Sequence, residues 1–599
     1  MKQSTLSIHS ENILPIIKKW LYSDKDIFIR ELVSNATDAL NKVRTLSEAK
    51  EIADGVELKI SIQTDKKNQT ISILDTGIGM TEKEVEKYIA QIAFSGAEEF
   101  VAKYKEVKEP IIGHFGLGFY SAYMVAKQVD INTLSYLPNA EAVFWSCDGS
   151  ERYSIGAGTH PARGTEIILH LDESNLEYLE ESKLRELLLR YCTFMPFPIE
   201  LNGKPLGNKS PLWLKSPSEC TDKEYLEFYR QFFPLDPDPL FWVHLNVDYP
   251  FHLKGILFFP KIHRRFDKEA SGIQLFCNRV FVSDNCKDIL PDYLTILRGA
   301  IDSPDIPLNV SRSYLQVDQN VKQLSSHISK KISDRLSLLY KSDPDKYIAS
   351  WSDIEMVVKL GLLQDEKFFE RTKDCLIWKN SQGTWTTLNE YLERAKEKKI
   401  YYVGSDRATP IVKLYEEKNI EVLLAPLPID TPVIQSLEDK LSTPFQRIDG
   451  ALSDSLLDPS REKSLLDADG KPQSAKIASF IRSALNEPSL EVEAKSLASD
   501  RLPAVLILDE KQRRLRDYMA LTQENKAFPT KKTFIVNTNH PLVQKMDRLQ
   551  HTQPTVAQEI AKSVYDLSLL SQRELEPSDL EHLIARQTQV LEKLASLIP

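Results

Sequence analysis

The chain has 599 residues, 42% hydrophobic and 27% charged, with 86 acidic against 76 basic side chains and a net charge of −10. That length is too great for one hydrophobic core and predicts three or four domains, while the mild acidity argues against a nucleic-acid or membrane-surface role. The six scattered cysteines form no C-x-x-C pair, no histidine cluster has metal-ligand spacing, and no apolar run is long enough to span a bilayer, so reduced thiols and a cytoplasmic location are expected.

Residues 12–45 read as helical, with Ser23-Asp-Lys-Asp26 as a start signal and Leu32, Ala36, Ala39 and Val43 as a buried stripe. Glu31, Asn35 and Asp38 fall at i, i+4 and i+7 of the same helix. They share one face within roughly 40°, opposite much of that stripe. Such a face is either a plain polar helix surface or a working one. In the second case a carboxylate orients and deprotonates a water, and an amide oxygen one turn away ligates Mg²⁺. Leu58, Ile60 and Ile62 alternate, as do Ile71 and Ile73, around the polar Asp65-Lys-Lys-Asn-Gln69, which predicts a β-hairpin. Asp75 ends the second strand and enters the turn Asp75-Thr-Gly77-Ile-Gly79-Met80. A carboxylate there can accept a hydrogen bond from the exocyclic amine of a base, though Asp-x-Gly is also an ordinary turn.

Glycine is scarce, at 21 residues, yet six fall between Gly77 and Gly118. Such clustering suits a backbone that approaches a ligand or moves as a lid. Gly113-His114-Phe115-Gly116-Leu117-Gly118-Phe119 precedes a helix-like run to Ala126, an arrangement that fits either phosphates or a hinge. It matches neither the P-loop nor the dinucleotide fingerprint. Strands are predicted near 142–147 and at Thr165–Leu171, so the first domain, residues 1–205, is α+β, a sheet covered by helices on one face. Residues 205–218 read as a connector.

A second α/β region spans 212–460, with strands near 273–282 and 420–426 and helices near 318–341 and 351–363. Within it, Pro307-Leu-Asn309-Val-Ser-Arg312-Ser-Tyr-Leu-Gln316 places Arg312 and Gln316 at i, i+4. The arginine is either a surface residue or one supplied from a separate domain to a terminal phosphate. The polar stretch 451–475 marks a further boundary. Residues 476–599 end in two apolar helices. One carries Val556, Ile560, Val564, Leu567 and Leu570; the other follows a capping box at Pro577-Ser-Asp-Leu-Glu581. Their stripes serve either intramolecular docking or a dimer interface. Arg513-Arg-Leu-Arg-Asp-Tyr-Met519 reads as a solvated charged helix.

These motifs resemble a known family. Glu31 with Asn35-Ala-Thr-Asp38-Ala, then Asp75-x-Gly-x-Gly, a glycine-rich lid and Gly164-Thr165 form the pattern of the GHKL ATPases, which share the Bergerat fold. Phe28 to Ala39, Gly116 to Ser121 and Ile306 to Arg312 are similar in wording to the heat-shock protein 90 chaperones, in their bacterial form. Leu212-Trp213, Asn278-Arg-Val-Phe281 and Asn539-His-Pro541 extend the resemblance over essentially the whole chain.

The resemblance implies an N-terminal Bergerat α/β sandwich with a lid at about 88–121, an α/β middle domain and a small α+β C-terminal dimerisation domain. It implies ATP and Mg²⁺ as cofactors. Glu31 would activate the hydrolytic water and Asn35 would ligate Mg²⁺. Asp75 would bind the adenine amine, with Gly79 and Thr165 completing that pocket and Met80 and Phe119 packing around it. Asp38 belongs to the same nucleotide set. Gly113, His114, Phe115, Gly116, Leu117, Gly118 and Phe119 would close over the phosphates, and Arg312, with Gln316 nearby, would reach the γ-phosphate. The implied partners are a second copy, joined through the C-terminal helices, and unfolded or partly folded clients; neither nucleic acid nor membrane is expected. The chain departs from the family pattern at Tyr88, Phe94 and His114 around the lid, and at Ser313 after Arg312.

Overall fold

The computed structural model describes residues 24–52, 55–92, 94–96, 99–100, 112–113, 116–150, 152–261, 272–284, 289–306, 319–404, 409–458, 460, 473–521, 531–572, 574–575 and 577–595. The chain is mixed α/β and forms two compact units, residues 1–332 and 333–599.

In the first unit the predicted hairpin forms from β1 (Ile60–Asp65) and β2 (Thr70–Asp75), with Ile60 opposite Asp75. Four further strands follow: β3 (Ala126–Leu134), β4 (Val143–Cys147), β5 (Tyr153–Ala157) and β6 (Gly164–Leu171). With β7 (Ile199–Leu201) and β8 (Lys204–Pro205) they make an eight-stranded sheet ordered β5-β4-β3-β6-β2-β1-β7-β8. Only β1 and β7 pair in parallel. Along β3, Val129, Ile131 and Thr133 are buried while Asp130 and Asn132 are not, the period of a sheet with one covered face. Helices Ile27–Glu48 and Glu181–Cys192 pack together on the buried side.

The helix Ile27–Glu48 is buried nearly all round, so its polar residues do not face solvent. It begins at Ile27, and Ser23 lies outside the described residues, as does the predicted helix before residue 24. Asp26, at the N-cap position, gives its carboxylate to the Tyr178 hydroxyl (2.6 Å) and to Lys183 (3.3 Å), not to its own helix. The predicted helix after the glycines is instead a 3₁₀ turn, Gly118–Met124, because the chain enters β3 at Ala126 and has no length for a further α-turn.

The connector carries the 3₁₀ turn Leu212–Leu214 and leads through helix Asp222–Phe232 to a five-stranded sheet. Its strands are β9 (Phe241–Val247), β10 (Leu253–Phe259), β11 (Gly272–Cys277), β12 (Val280–Ser283) and β13 (Arg298–Asp302), in the order β12-β11-β13-β10-β9. β11 and β12 realise the strand signal near 273–282 as a hairpin.

Helices Gln319–Ser342 and Pro344–Gln364 follow. The second starts earlier than predicted because Asp343 accepts the Lys346 N–H and Pro344 occupies the first turn. The second unit contains a five-stranded and a three-stranded sheet; the strand signal near 420–426 corresponds to Val422–Leu424. Helix Glu510–Leu521 is not the solvated charged helix expected. Arg513 is buried against Asp449 (3.0 Å), Arg514 pairs with Glu438 and Glu510, and Arg516 pairs with Glu574. The final helices are Pro554–Ser571 and Pro577–Ala595. The last begins at Pro577, and the side chain of Ser578 in the predicted capping box lies outside the described residues. No described helix is long and apolar enough to cross a membrane.

Candidate nucleotide site

A cavity of about 390 Å³ opens between helix Ile27–Glu48 and the sheet, within the size range of small-molecule sites. The helix supplies Glu31, Asn35, Asp38 and Lys42, and the end of β2 supplies Asp75. The glycine stretches and the segment around Tyr88 to Phe100 complete the wall.

At the sheet end, Asp75 is buried opposite Thr165 of β6. Burial pushes its carboxyl up to about 7, against a hydrogen bond of 2.8 Å that its Oδ1 accepts from the Gly77 N–H. Thr165 Oγ1 lies 2.9 Å from Thr133 Oγ1. Thr133 donates to the Gly164 carbonyl (2.9 Å) and accepts the Met80 N–H (3.0 Å), so one buried hydroxyl ties three strand ends and turns together. Gly79 has φ +60°, and a Cβ there would lie 1.8 Å from the Leu134 carbonyl oxygen. No other residue fits so close to β3. Met80 and Phe119 line the cavity, and Phe119 packs edge-on against Tyr120 and Trp145.

At the other end the glycines lie against the polar helix face. A Cβ at Gly118 would meet Glu31 Oε2 at 2.8 Å, and one at Gly113 would meet Asp38 Oδ2 at 3.2 Å and Asn35 Oδ1 at 3.4 Å. Glu31 is buried, with Oε1 accepting from Arg30 Nε (3.1 Å) and Nη2 (2.9 Å). Its second oxygen faces Gly118. Asp38 accepts the N–H groups of Ile112 and Gly113, both at 2.7 Å, and so fastens the backbone at the edge of the glycine loop. Asn35 makes no side-chain hydrogen bond among the described residues, which leaves its amide oxygen free to act as a hard ligand. No group of three His, Cys, Asp or Glu side chains placed to hold a metal ion exists among the described residues. A single amide oxygen fits Mg²⁺, which keeps several waters and binds through a few protein oxygens plus substrate phosphates.

Leu117 packs into the core and does not line the cavity. His114, Phe115, Arg312 and Gln316 lie outside the described residues. Two cavity residues, Lys42 and Glu84, and one buried residue behind the wall, Thr133, escaped the sequence reading. Lys42 continues the Glu31/Asn35/Asp38 face by one more turn; burial lowers its pKa, and Asp38 and Glu84 oppose the shift. Glu84 caps its own helix through Thr81 and also lines the cavity. Thr133 was visible only as a polar residue at an inward strand position.

The two aromatic departures meet. Tyr88 and Phe94 stack with centroids 6.0 Å apart, and Lys87 Nζ lies 5.1 and 5.3 Å from the two rings. Glu99 accepts from Lys87 (3.0 Å) and from the Tyr88 hydroxyl (3.1 Å). Phe94 also supports the glycine loop: Gly116, at φ +63°, lies so near that a Cβ would come 2.4 Å from the Phe94 carbonyl oxygen.

With this geometry in view, the chain can be compared with known proteins. A family profile described as "Hsp90 protein" matches residues 202–596, and one described as "Histidine kinase-, DNA gyrase B-, and HSP90-like ATPase" matches residues 24–152. The chain is 41% identical over 578 residues to "Chaperone protein HtpG" of Porphyromonas gingivalis, covering 91% of this chain and 84% of that protein. It is 38% identical over 612 residues to the protein of the same name from Bacteroides thetaiotaomicron, covering 97% and 89%. It is 31% identical over 607 residues to "TNF receptor-associated protein 1 homolog, mitochondrial" of Dictyostelium discoideum, covering 98% and 85%.

Proposed function

The chain belongs to the heat-shock protein 90 family, and from that premise we propose how its cavity serves an ATP-driven chaperone cycle. It is an ATP-dependent molecular chaperone and an ATPase of the GHKL type. The observation that carries the residue roles is the shared cavity, in which Glu31, Asn35 and Asp75 meet the glycine backbones.

Asp75 accepts the exocyclic amine of adenine, with Thr165 and the Thr133 hydroxyl fixing the pocket around Gly79 and Met80. Lys42 offers a desolvated cation to the phosphates, where low dielectric strengthens its attraction. Asn35 Oδ1 would hold Mg²⁺, which would supply charge screening to the phosphates. Glu31 orients a water through its free oxygen and takes its proton as the water oxygen bonds to the γ-phosphorus and the bond to the β-phosphate oxygen breaks. Asp38 anchors the edge of the lid, Gly113 to Phe119, over the phosphates. Arg312, supplied from the segment after β13 with Gln316 four residues on in sequence, contributes positive charge to the γ-phosphate. Hydrolysis therefore waits on a conformational step that assembles distant residues.

The domains follow as 1–205 for nucleotide, 212–460 for the arginine segment and 476–599 for dimerisation. Leu567, Leu570, Leu580, Ile584 and Leu591 are exposed on the last two helices, an apolar area suited to a second copy. Unfolded or partly folded proteins are the clients, held between the two protomers, and the cytoplasm is the site of action.

The test is Glu31→Ala in the full-length protein. Hydrolysis should fall by about 10²-fold or more, while ATP affinity stays within about threefold. Hydrolysis at the wild-type rate with ATP still bound would remove Glu31 as the base.

A further inference from the structure

Three stretches far apart in sequence converge on one buried carboxylate outside the nucleotide cavity. Asp302 ends β13, the central strand of the five-stranded sheet, ten residues before Arg312. Its Oδ2 accepts the indole N–H of Trp213 (3.2 Å) and the backbone N–H of Arg279 (3.1 Å). Trp213 belongs to the connector that follows the nucleotide-binding sheet. Arg279 and Asn278 form the β11–β12 turn, both with positive φ (+68° and +51°), the geometry of a tight two-residue hairpin. The strained turn aims the Arg279 N–H at Asp302.

The residues that follow are fixed just as firmly. Ser303 donates its N–H to the Phe276 carbonyl (3.1 Å) and its hydroxyl to the His252 carbonyl (2.6 Å). Asp305 accepts the His252 N–H at 2.5 Å. Chain leaving β13 is thus bolted to two neighbouring strands and to the connector. Trp213 is fully buried and continues the link: its ring lies edge-on to Phe194 (4.9 Å) and near Phe276 (5.2 Å), and Phe194 follows the helix that packs on the cavity helix.

Packing alone does not explain a carboxylate here. Burial pushes the Asp302 carboxyl up to about 6 against its hydrogen bonds to Trp213 and the turn backbone and against the nearby Arg279 charge, and its Oδ1 has no hydrogen-bond partner among the described residues. A buried oxygen left unsatisfied costs stability and calls for a functional reason.

We propose that Asp302 is a positioning residue for ATP hydrolysis. It ties the connector, through Trp213, to the end of β13, the strand from which the chain runs on to Arg312, and so couples that strand to the nucleotide domain. The inference rests on the reading that Arg312 serves the terminal phosphate.

The experiment measures kcat and KM for Mg-ATP and nucleotide Kd on full-length Asp302→Ala, Asp302→Asn, Trp213→Phe, Arg312→Ala and the double variant Asp302→Ala/Arg312→Ala. Asp302→Ala should lower kcat about tenfold or more, with KM and Kd within about twofold, since a misplaced group costs rate before it costs binding. Asp302→Asn should recover most of that loss, because an amide oxygen accepts the same two N–H groups. Trp213→Phe, which keeps a ring and removes the donor, should lower kcat in the same way and decides the matter if Asp302→Ala does not fold. The double variant should be no slower than Arg312→Ala. An unchanged kcat in Asp302→Ala or Trp213→Phe, beside a slow Arg312→Ala, overturns the inference and leaves the reading of Arg312 intact. A double variant slower than either single one overturns it too. A wild-type kcat in Arg312→Ala removes both.

Discussion

Asp75 shows how burial sets the chemistry of a single side chain. With its carboxyl raised to about 7, the empty site binds a proton below neutral pH, and an adenine amine needs the ionised form. ATP binding should therefore expel a proton, and affinity should fall toward tenfold per pH unit as pH drops below 7. Titration calorimetry in buffers of different ionisation enthalpy reads the proton directly; pH-independent affinity between 5.5 and 8 would contradict the assignment. Asp75→Asn should lose most nucleotide binding at every pH. Gly79 is constrained by space as well as by conformation. Because the clash at 1.8 Å is with the Leu134 backbone, Gly79→Ala must displace β3. It should cost roughly 1–3 kcal/mol in thermal unfolding and abolish ATP binding together. Glu31, Asn35 and Asp38 were legible as a set because helical spacing puts them on one face. Lys42 sits on that same face, but a lysine after three polar residues reads as solvent-exposed; only the fold around it reveals the burial. Asp38 was legible as a polar site residue, yet nothing in its spacing indicated that it would bind the backbone of Ile112 and Gly113.

Among the elements, the β1–β2 hairpin and the strand β6 were readable from alternation, and their pairing brings Asp75 opposite Thr165. Thr133 was not, since which inward position of β3 faces a neighbour's hydroxyl depends on register across β6. The helix start was misread by a few residues because Asp26 is taken by Tyr178, a partner 152 positions away. At the lid, Tyr88 and Phe94 are individually odd and jointly sensible. They form a stacked pair worth about 1 kcal/mol, with Lys87 over both rings. The lid segment is thereby held to the end of helix Glu82–Tyr88. Phe94→Ala should free it and raise the dissociation rate of a fluorescent ATP analogue a few-fold in stopped-flow, with kcat changing less. An unchanged dissociation rate would show that the stack does not govern the lid.

For the whole molecule, three regions of the sequence announce a nucleotide enzyme whose parts lie on separate elements, and the family membership fits that division. The helix Pro554–Ser571 buries Ala557, Ala561, Val564 and Leu569 within its own unit and leaves Leu567 and Leu570 exposed, so its stripe is split between an inner and an outer face. Periodicity alone could not divide those roles, because both faces are apolar. With Leu580, Ile584 and Leu591 the outer face makes the proposed dimer contact. Ile584→Asp with Leu591→Asp should give a monomer by light scattering at micromolar concentration and slow hydrolysis, whereas a persisting dimer would place the interface elsewhere. The most direct test is small-angle X-ray scattering of the full-length protein with and without a slowly hydrolysed ATP analogue and Mg²⁺. The radius of gyration should fall on nucleotide addition in wild type and in Glu31→Ala, and should not change in Asp75→Asn. Identical scattering profiles with and without saturating nucleotide in the wild type would contradict a chaperone closed by ATP in this cavity.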